Sequence, residues 1–275
     1  MAVLREGMVA VDGVRLHYYR TGPAERPPLV LAHGFTDNGR CWLSVVEVLA
    51  NQYDAVMYDV RGHGQSDAPE MDYSYPSQAA DLAGLIDALD LQQPTVLGHS
   101  MGAATALTLA ATRPALVRAI LLEDPPLFPP SFEPSLEERQ AWQRETQADI
   151  RQRRHKPLEA LRAQCREEHP TWREGECEPW AESKQQVSPN AAALRLNPPV
   201  PWRDLFPRVT CPILLITGDP EASAIVTPEL AAEISTLWHT GQLVQIPDAG
   251  HSIRRERFDA YMQTVTGFLD TLYPA

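Results

Sequence analysis

Residues 95–102 read TVLGHSMG, a serine set between two glycines, after an apolar run and before a stretch of small residues that favours helix. The spacing is G-x-S-x-G, and the strand-to-helix setting is what a nucleophile elbow requires. A turn that sharp holds Ser100 in a strained conformation, where a β-carbon at Gly98 or Gly102 would collide with neighbouring backbone. Serine is a poor nucleophile at neutral pH unless a neighbour takes its proton during attack. Among eight histidines, His251 is the candidate base. It lies in the stretch Asp248 to Ser252, after the last apolar run and before a C-terminal helix, where an α/β sheet gathers residues at its catalytic edge. His17 in an opening hairpin, His63 in a glycine-rich turn, His99 within the elbow, and His155, His169 and His239 in polar surroundings read as structural or surface residues. His33, ahead of Gly34 and Phe35, is placed to brace the loop that carries the Phe35 N–H toward the substrate.

The base needs a carboxylate to orient it, and four compete. Asp219 and Glu221 follow the apolar run 213–216, while Glu123 and Asp124 follow the run 119–122. Adjacent carboxylates point to opposite faces of a strand, so at most one of Glu123 and Asp124 faces His251. No metal is expected. Cys165, His169 and Cys177 are near one another in sequence, but scattered ligands without a CxxC unit read as ordinary helix surface.

The elements that must carry these groups are legible. Val9 to Tyr19 alternates about Asp12-Gly13 and predicts two antiparallel strands. Short apolar runs recur at 29–32, 55–58, 95–97, 119–122, 213–216 and 243–246, the pattern of a buried parallel sheet. Alternation of strand and helix predicts an α/β architecture with right-handed crossovers. Helices are expected at Trp42 to Asn51, Tyr75 to Leu89, Met101 to Thr112 (stopped by Pro114) and about Arg254 to Leu272. The strands are interrupted over roughly Pro125 to Phe206, a segment framed by Pro125-Pro126, Pro129-Pro130, Pro198-Pro199 and Pro201. Residues 136–164 are charged and helix-favouring, and Trp142, Trp172, Trp180 and Trp202 place four of the six tryptophans in the same segment. The expectation is a core of residues 1–124 and 207–275, with a helical cap of residues 125–206 inserted after the sixth strand.

Composition narrows the function class. The chain has 275 residues, 44% hydrophobic and 22% charged, which are ordinary globular values. A net charge of −12 repels phosphate backbones and anionic lipid surfaces, so neither nucleic acid nor a membrane is expected as partner. Cys41, Cys165, Cys177 and Cys211 have no paired spacing and read as reduced thiols. Met1 to Val9 contains Arg5 and Glu6 and no apolar stretch of signal-peptide length, so a cytoplasmic location is expected.

From about Val9 to Leu272 the chain resembles the α/β-hydrolase superfamily. The motifs that carry the resemblance are His33-Gly34-Phe35, the stretch DVRGHGQSD at 59–67, Gly98 to Gly102, and Gly250-His251, all in family order. The resemblance implies a mostly parallel central sheet flanked by helices, and an oxyanion hole made by the backbone N–H groups of Phe35 and Met101. Haloalkane dehalogenases and epoxide hydrolases of this fold carry aspartate where this chain has Ser100, which points to an acyl-serine intermediate. The family's usual acid loop is irregular here, with Glu221 and Asp219 both near the expected position. Some haloalkane dehalogenases and zearalenone lactonases instead place the acid after the preceding strand, and counting from the nucleophile puts Asp124 there. Asp124 is therefore the preferred acid.

The function expected is a serine esterase or lactonase for a moderately large, apolar small molecule, with Leu127, Phe128, Trp142 and Trp172 contacting substrate. No cofactor and no clamp for a charged substrate are expected. Carbon–carbon hydrolysis of a diketone-type substrate uses the same side-chain types and is the alternative, and a non-catalytic ligand receptor on the same fold is a third reading. The oligomeric state stays open, a homodimer included.

Overall fold

The computed structural model of the chain describes residues 4–129 and 131–274. Strands β1 (Arg5–Val11) and β2 (Val14–Thr21) form the expected hairpin, and Asp12 and Gly13 both take positive φ, 46° and 85°. That pair matches the twist of the flanking strands, which is why an Asp-Gly turn nucleates there. Strands β3 (Pro28–Ala32), β4 (Asp54–Tyr58), β5 (Thr95–His99), β6 (Ala119–Glu123), β7 (Ile213–Thr217) and β8 (Gly241–Gln245) complete an eight-stranded sheet in the order β1-β2-β4-β3-β5-β6-β7-β8. Only β1 with β2 and β2 with β4 pair antiparallel. Strands β3 to β7 are buried on both faces, hence their unbroken apolar sequences.

Helices α1 (Leu43–Leu49), α2 (Tyr75–Ala88) and α3 (Met101–Thr112) connect the early strands. Helix α1 packs on one face of the sheet through Val45, Val46 and Leu49, in a cluster that also holds Tyr261, Val265 and Phe268. The other face is covered by α2 and α3 through Leu82, Leu85, Leu107 and Leu109. The sheet reverses its order at β3, whose neighbours are β4 and β5. A crevice forms outside the carboxyl ends of the strands at such a switch point, and the loops after β3 and β5 carry the His33-Gly34-Phe35 and Gly98–Gly102 motifs.

Between β6 and β7 lie α4 (Leu136–Arg154), α5 (Leu158–Glu168), α6 (Cys177–Gln186), a 3-10 stretch Pro189–Leu196 and the single turn α7 (Trp202–Leu205). Helix α4 starts with a full capping box, Ser135 against Glu138, and Pro157 separates it from α5. After β7 come α8 (Pro228–Ser235), α9 (Ile253–Glu256) and α10 (Phe258–Leu272). The sequence predicts one terminal helix from about Arg254. The structure breaks it at Arg257, whose φ of −134° lies outside the helical region. Among the described residues no helix is long and apolar enough to cross a membrane.

The cysteine expectation is corrected. Cys165 and Cys177 form a disulfide joining α5 to α6, with Cα atoms 5.6 Å apart, while Cys41 and Cys211 are free and buried. Spacing alone hid the pair because the cysteines are 12 positions apart and the chain turns back on itself between the two helices. The bridge sits in a small apolar cluster with Leu161, Trp180 and Ala181. A cross-link closing a loop of this size is worth about 3 kcal/mol on chain-entropy grounds. Cys165→Ser with Cys177→Ser is expected to lower stability by up to that amount and to speed proteolysis within residues 155–176, read by urea denaturation and limited trypsinolysis.

Candidate active site

Ser100 sits at φ 51° and ψ −114° between β5 and α3. A β-carbon added at Gly98 would lie 2.4 Å from the Gly102 carbonyl group, and one at Gly102 would lie 2.1 Å from the Ala32 oxygen. Only glycines allow α3 to approach β3 and β5 this closely. The Ser100 N–H donates to Glu123 O at 2.9 Å, which fastens the turn to the end of β6.

His251 Nδ1–H donates to Asp124 Oδ2 at 2.6 Å. Asp124 is fully buried at φ 39°, and its carboxylate also accepts from the N–H groups of Ile225, at 2.8 Å, and Val226, at 3.0 Å. These amides belong to the loop after β7, the irregular loop noted in the sequence. The other acids have different partners. Glu123 points to the opposite side of β6 and holds Arg254, accepting from its backbone N–H at 3.0 Å and from Nη1 at 3.2 Å. Burial pushes the Glu123 carboxyl up, and the Arg254 cation opposes this. Asp219 accepts from the Glu221 N–H at 3.0 Å and caps a 3-10 turn, and Glu221 is exposed.

Three histidines brace the site as neutral rings. His33 donates from Nδ1 to Gly34 O at 2.8 Å and accepts at Nε2 from Val60 N–H at 3.0 Å. His63 donates from Nδ1 to Arg61 O and accepts at Nε2 from the Thr36 N–H. One ring nitrogen donates and the other accepts in each, which only the neutral form can do. Thr36 has φ 63°, unusual for a β-branched residue, and this bond helps to hold it there. His99 donates from Nε2 to the His251 carbonyl at 2.9 Å and lies ring to ring with it at 4.7 Å. The sequence placed His99 within the elbow but gave no sign that it supports the backbone of His251.

A cavity of about 730 Å³ opens above these groups and is lined by Phe35, His99, Ser100, Met101, Phe128, Trp142, Trp172 and His251, among others. Leu127 corrects the expectation. It is fully buried in the main core cluster and is absent from the cavity wall, because the chain turns at Pro125-Pro126 and sends Leu127 inward and Phe128 outward. The wall also carries Arg139, Arg153, Lys184, Arg195 and Arg255, together with Asp37, Glu145, Asp149 and Glu168. The sequence shows no sign of a clamp for a charged substrate, yet the cavity wall carries charges of both signs. All of them except Asp37 and Arg255 come from the insertion, whose sequence pattern does not reveal which side chains turn inward.

Several of these charges knit the inserted helices to the loop after β3. Arg255 pairs with Asp37 at 3.0 Å and Glu176 at 3.0 Å, and its guanidinium lies 4.6 Å from the Trp172 ring centre. Lys184 Nζ donates to Thr36 O at 2.8 Å and to Thr36 Oγ1 at 3.1 Å. Burial alone would raise the Asp37 carboxyl, but the Arg255, Lys184 and Arg254 cations hold it well below the ordinary range. Burial depresses the Lys184 amine to about 8, against the pull of Asp37.

A family model described as the alpha/beta hydrolase family matches residues 29–264. The chain is 27% identical over 258 residues to a 2-(acetamidomethylene)succinate hydrolase of Mesorhizobium japonicum, covering 89% of this chain and 88% of that protein. It is 28% identical over 271 residues to an N-formylmaleamate deformylase of Pseudomonas putida, covering 96% of each. The crystal structure of an E-2-(acetamidomethylene)succinate hydrolase superposes with a TM-score of 0.80 at 26% identity, covering 98% of this chain and all of that one.

Burial lowers His63 from its ordinary 6.5 to about 3. The unfolded chain therefore takes up protons first as pH falls, and the stability tied to neutral His63 is present above pH 6.5 and lost toward pH 3. In His63→Gln, whose amide oxygen can still accept from Thr36, melting temperature is expected to fall less steeply across that window than in the wild type. Thermal melts over a pH series check this.

Proposed function

We propose that this chain, which belongs to the alpha/beta hydrolase family, cleaves an ester-like or amide-like acyl bond through an acyl-serine intermediate at Ser100. The observation that carries the reading is the hydrogen bond between His251 and Asp124 beside a strained serine on a glycine-flanked turn. His251 takes the Ser100 proton as Oγ attacks the carbonyl carbon. The carbonyl π electrons move to oxygen, and the backbone N–H groups of Phe35 and Met101 receive that charge. Met101 opens α3, where the first N–H groups have no acceptor within the helix. His251 then gives its proton to the leaving oxygen or nitrogen. Water, activated by the same histidine, attacks the acyl-serine and frees the acid and Ser100. Asp124 stays ionised, fixes the Nδ1–H tautomer and stabilises the transient imidazolium.

The bond class extends beyond the esters and lactones expected from sequence. The two relatives named above are, by name, a deformylase and a hydrolase of an acetamido compound, which supports including amide-type bonds. The segment 125–206 serves in this reading as a lid that sets substrate range, since Phe128, Trp142, Trp172 and Trp180 line the cavity holding Ser100.

A fluorophosphonate is expected to label Ser100, and Ser100→Ala to lose both labelling and hydrolysis of short acyl esters. Activity surviving in that variant would overturn the mechanism. Asp124→Asn is expected to lower kcat by about 10⁴-fold, as a wrong-tautomer histidine does. Glu221→Gln and Asp219→Asn should change kcat little, and steady-state kinetics on one ester rank all three.

A further inference from the structure

We propose that Arg139 and Arg195 form a carboxylate-binding site in the cavity wall, so that the preferred substrates are acyl compounds bearing a second, anionic acid group. The inference deepens the acyl-serine reading and rests on it for the reaction, but the site itself follows from the wall's own charges. The cations there fall into two sets. Arg255 and Lys184 are committed to Asp37, with Arg255 also holding Glu176, and Arg153 is paired with Asp149. Among the described residues Arg139 and Arg195 form no ion pair. Arg139 donates from Nη1 to Leu196 O at 2.9 Å, and its Nε is buried with no acceptor. Arg195 lies over the Phe35 ring, 5.2 Å from its centre.

Position relates these two side chains to the chemistry. Leu196 follows Arg195, so the Arg139 bond ties α4 to the segment that presents Arg195. Phe35 follows Gly34, and a β-carbon added at Gly34 would sit 3.4 Å from Ser100 Cβ. Arg195, stacked on Phe35, lines the same cavity as Ser100, so one small molecule can present its acyl carbon to Ser100 and a carboxylate to the arginines. A guanidinium offers its N–H groups in a fork that matches a carboxylate, and the buried Arg139 Nε is a donor lacking the acceptor that such a ligand supplies. Glu145 and Glu168 also line the wall without an ion pair, but both are exposed, where water and salt screen them; Arg195 is exposed too but is steadied by the Phe35 ring, while Arg139 is half-buried.

The test separates binding from turnover. Calorimetric titrations of the intact protein with succinate, glutarate and adipate are compared with the neutral diamides of the same lengths. At least one diacid is expected to bind about tenfold or more tighter than its diamide, the effect of a charge-assisted hydrogen bond. That preference should disappear in Arg139→Gln with Arg195→Gln and return in part with Arg195→Lys. In turnover, the ratio of kcat/KM for monomethyl glutarate to that for dimethyl glutarate should exceed one in the wild type and collapse in the double variant, chiefly through KM. Absence of measurable diacid binding, equal binding of diacid and diamide, or a preference unchanged in the double variant overturns the site. Failure of a fluorophosphonate to label Ser100 overturns the acyl-serine reading instead, leaving the titrations to judge the arginines.

Discussion

A non-glycine backbone at φ 51°, as at Ser100, persists only where the surroundings leave it no better conformation. The strands on either side supply that constraint. Gly98 and Gly102 let α3 press against the ends of β5 and β3 until no β-carbon fits, and the Ser100 N–H is taken by the end of β6. The same device recurs at neighbouring strand ends. Thr36 after β3, Asp124 after β6 and Asp248 after β8 all take positive φ, at 63°, 39° and 55°. The rigid sheet holds its carboxyl ends still, and Ser100, Thr36 and Asp124 there present side chains or amides to one crevice, whereas Asp248 is exposed and pairs with Arg257.

Buried charge is the second constraint, and it joins the insertion to the sheet. Removing Asp37, Glu176, Arg254, Arg255 and Lys184 from water would be costly if any stood alone. Together they compensate one another, and because Glu176 and Lys184 come from the inserted segment, its placement is fixed by the charges it must satisfy. Lys184 reaches the Thr36 carbonyl and Ser44 donates to Glu176 at 2.5 Å, so the loop that follows β3 is held from above as well as by His63 from the side. The motif DVRGHGQSD is part of this scaffold. Asp59 accepts from the Gly39 and Gln65 N–H groups, and Arg61 pairs with Asp81 in the buried interior.

What could be read in advance was local. The hairpin at Asp12-Gly13, the alternation of apolar strands with helices, and the elbow at Ser100 each depend on sterics within a few residues, and the sequence states those outright. The break at Arg257 escaped because a single non-helical residue between two helical stretches leaves no proline or glycine to mark it. Phe128 and Leu127 are equally apolar neighbours, and only the direction of the chain after Pro125 sends one to the cavity and the other to the core.

The sequence by itself determined the architecture, the candidate nucleophile and the candidate base, since backbone strain, periodicity and proline or glycine punctuation act over short stretches. It left Glu123, Asp124, Asp219 and Glu221 as rivals, narrowed by resemblance alone. Tertiary structure brings His251 to Asp124 across 127 residues, gives Glu123 to Arg254, closes the Cys165–Cys177 bridge, and leaves Arg139 and Arg195 without a carboxylate partner among the described residues. Those outcomes depend on which groups meet once the chain has closed on itself, and such an encounter leaves no imprint on the spacing around either residue.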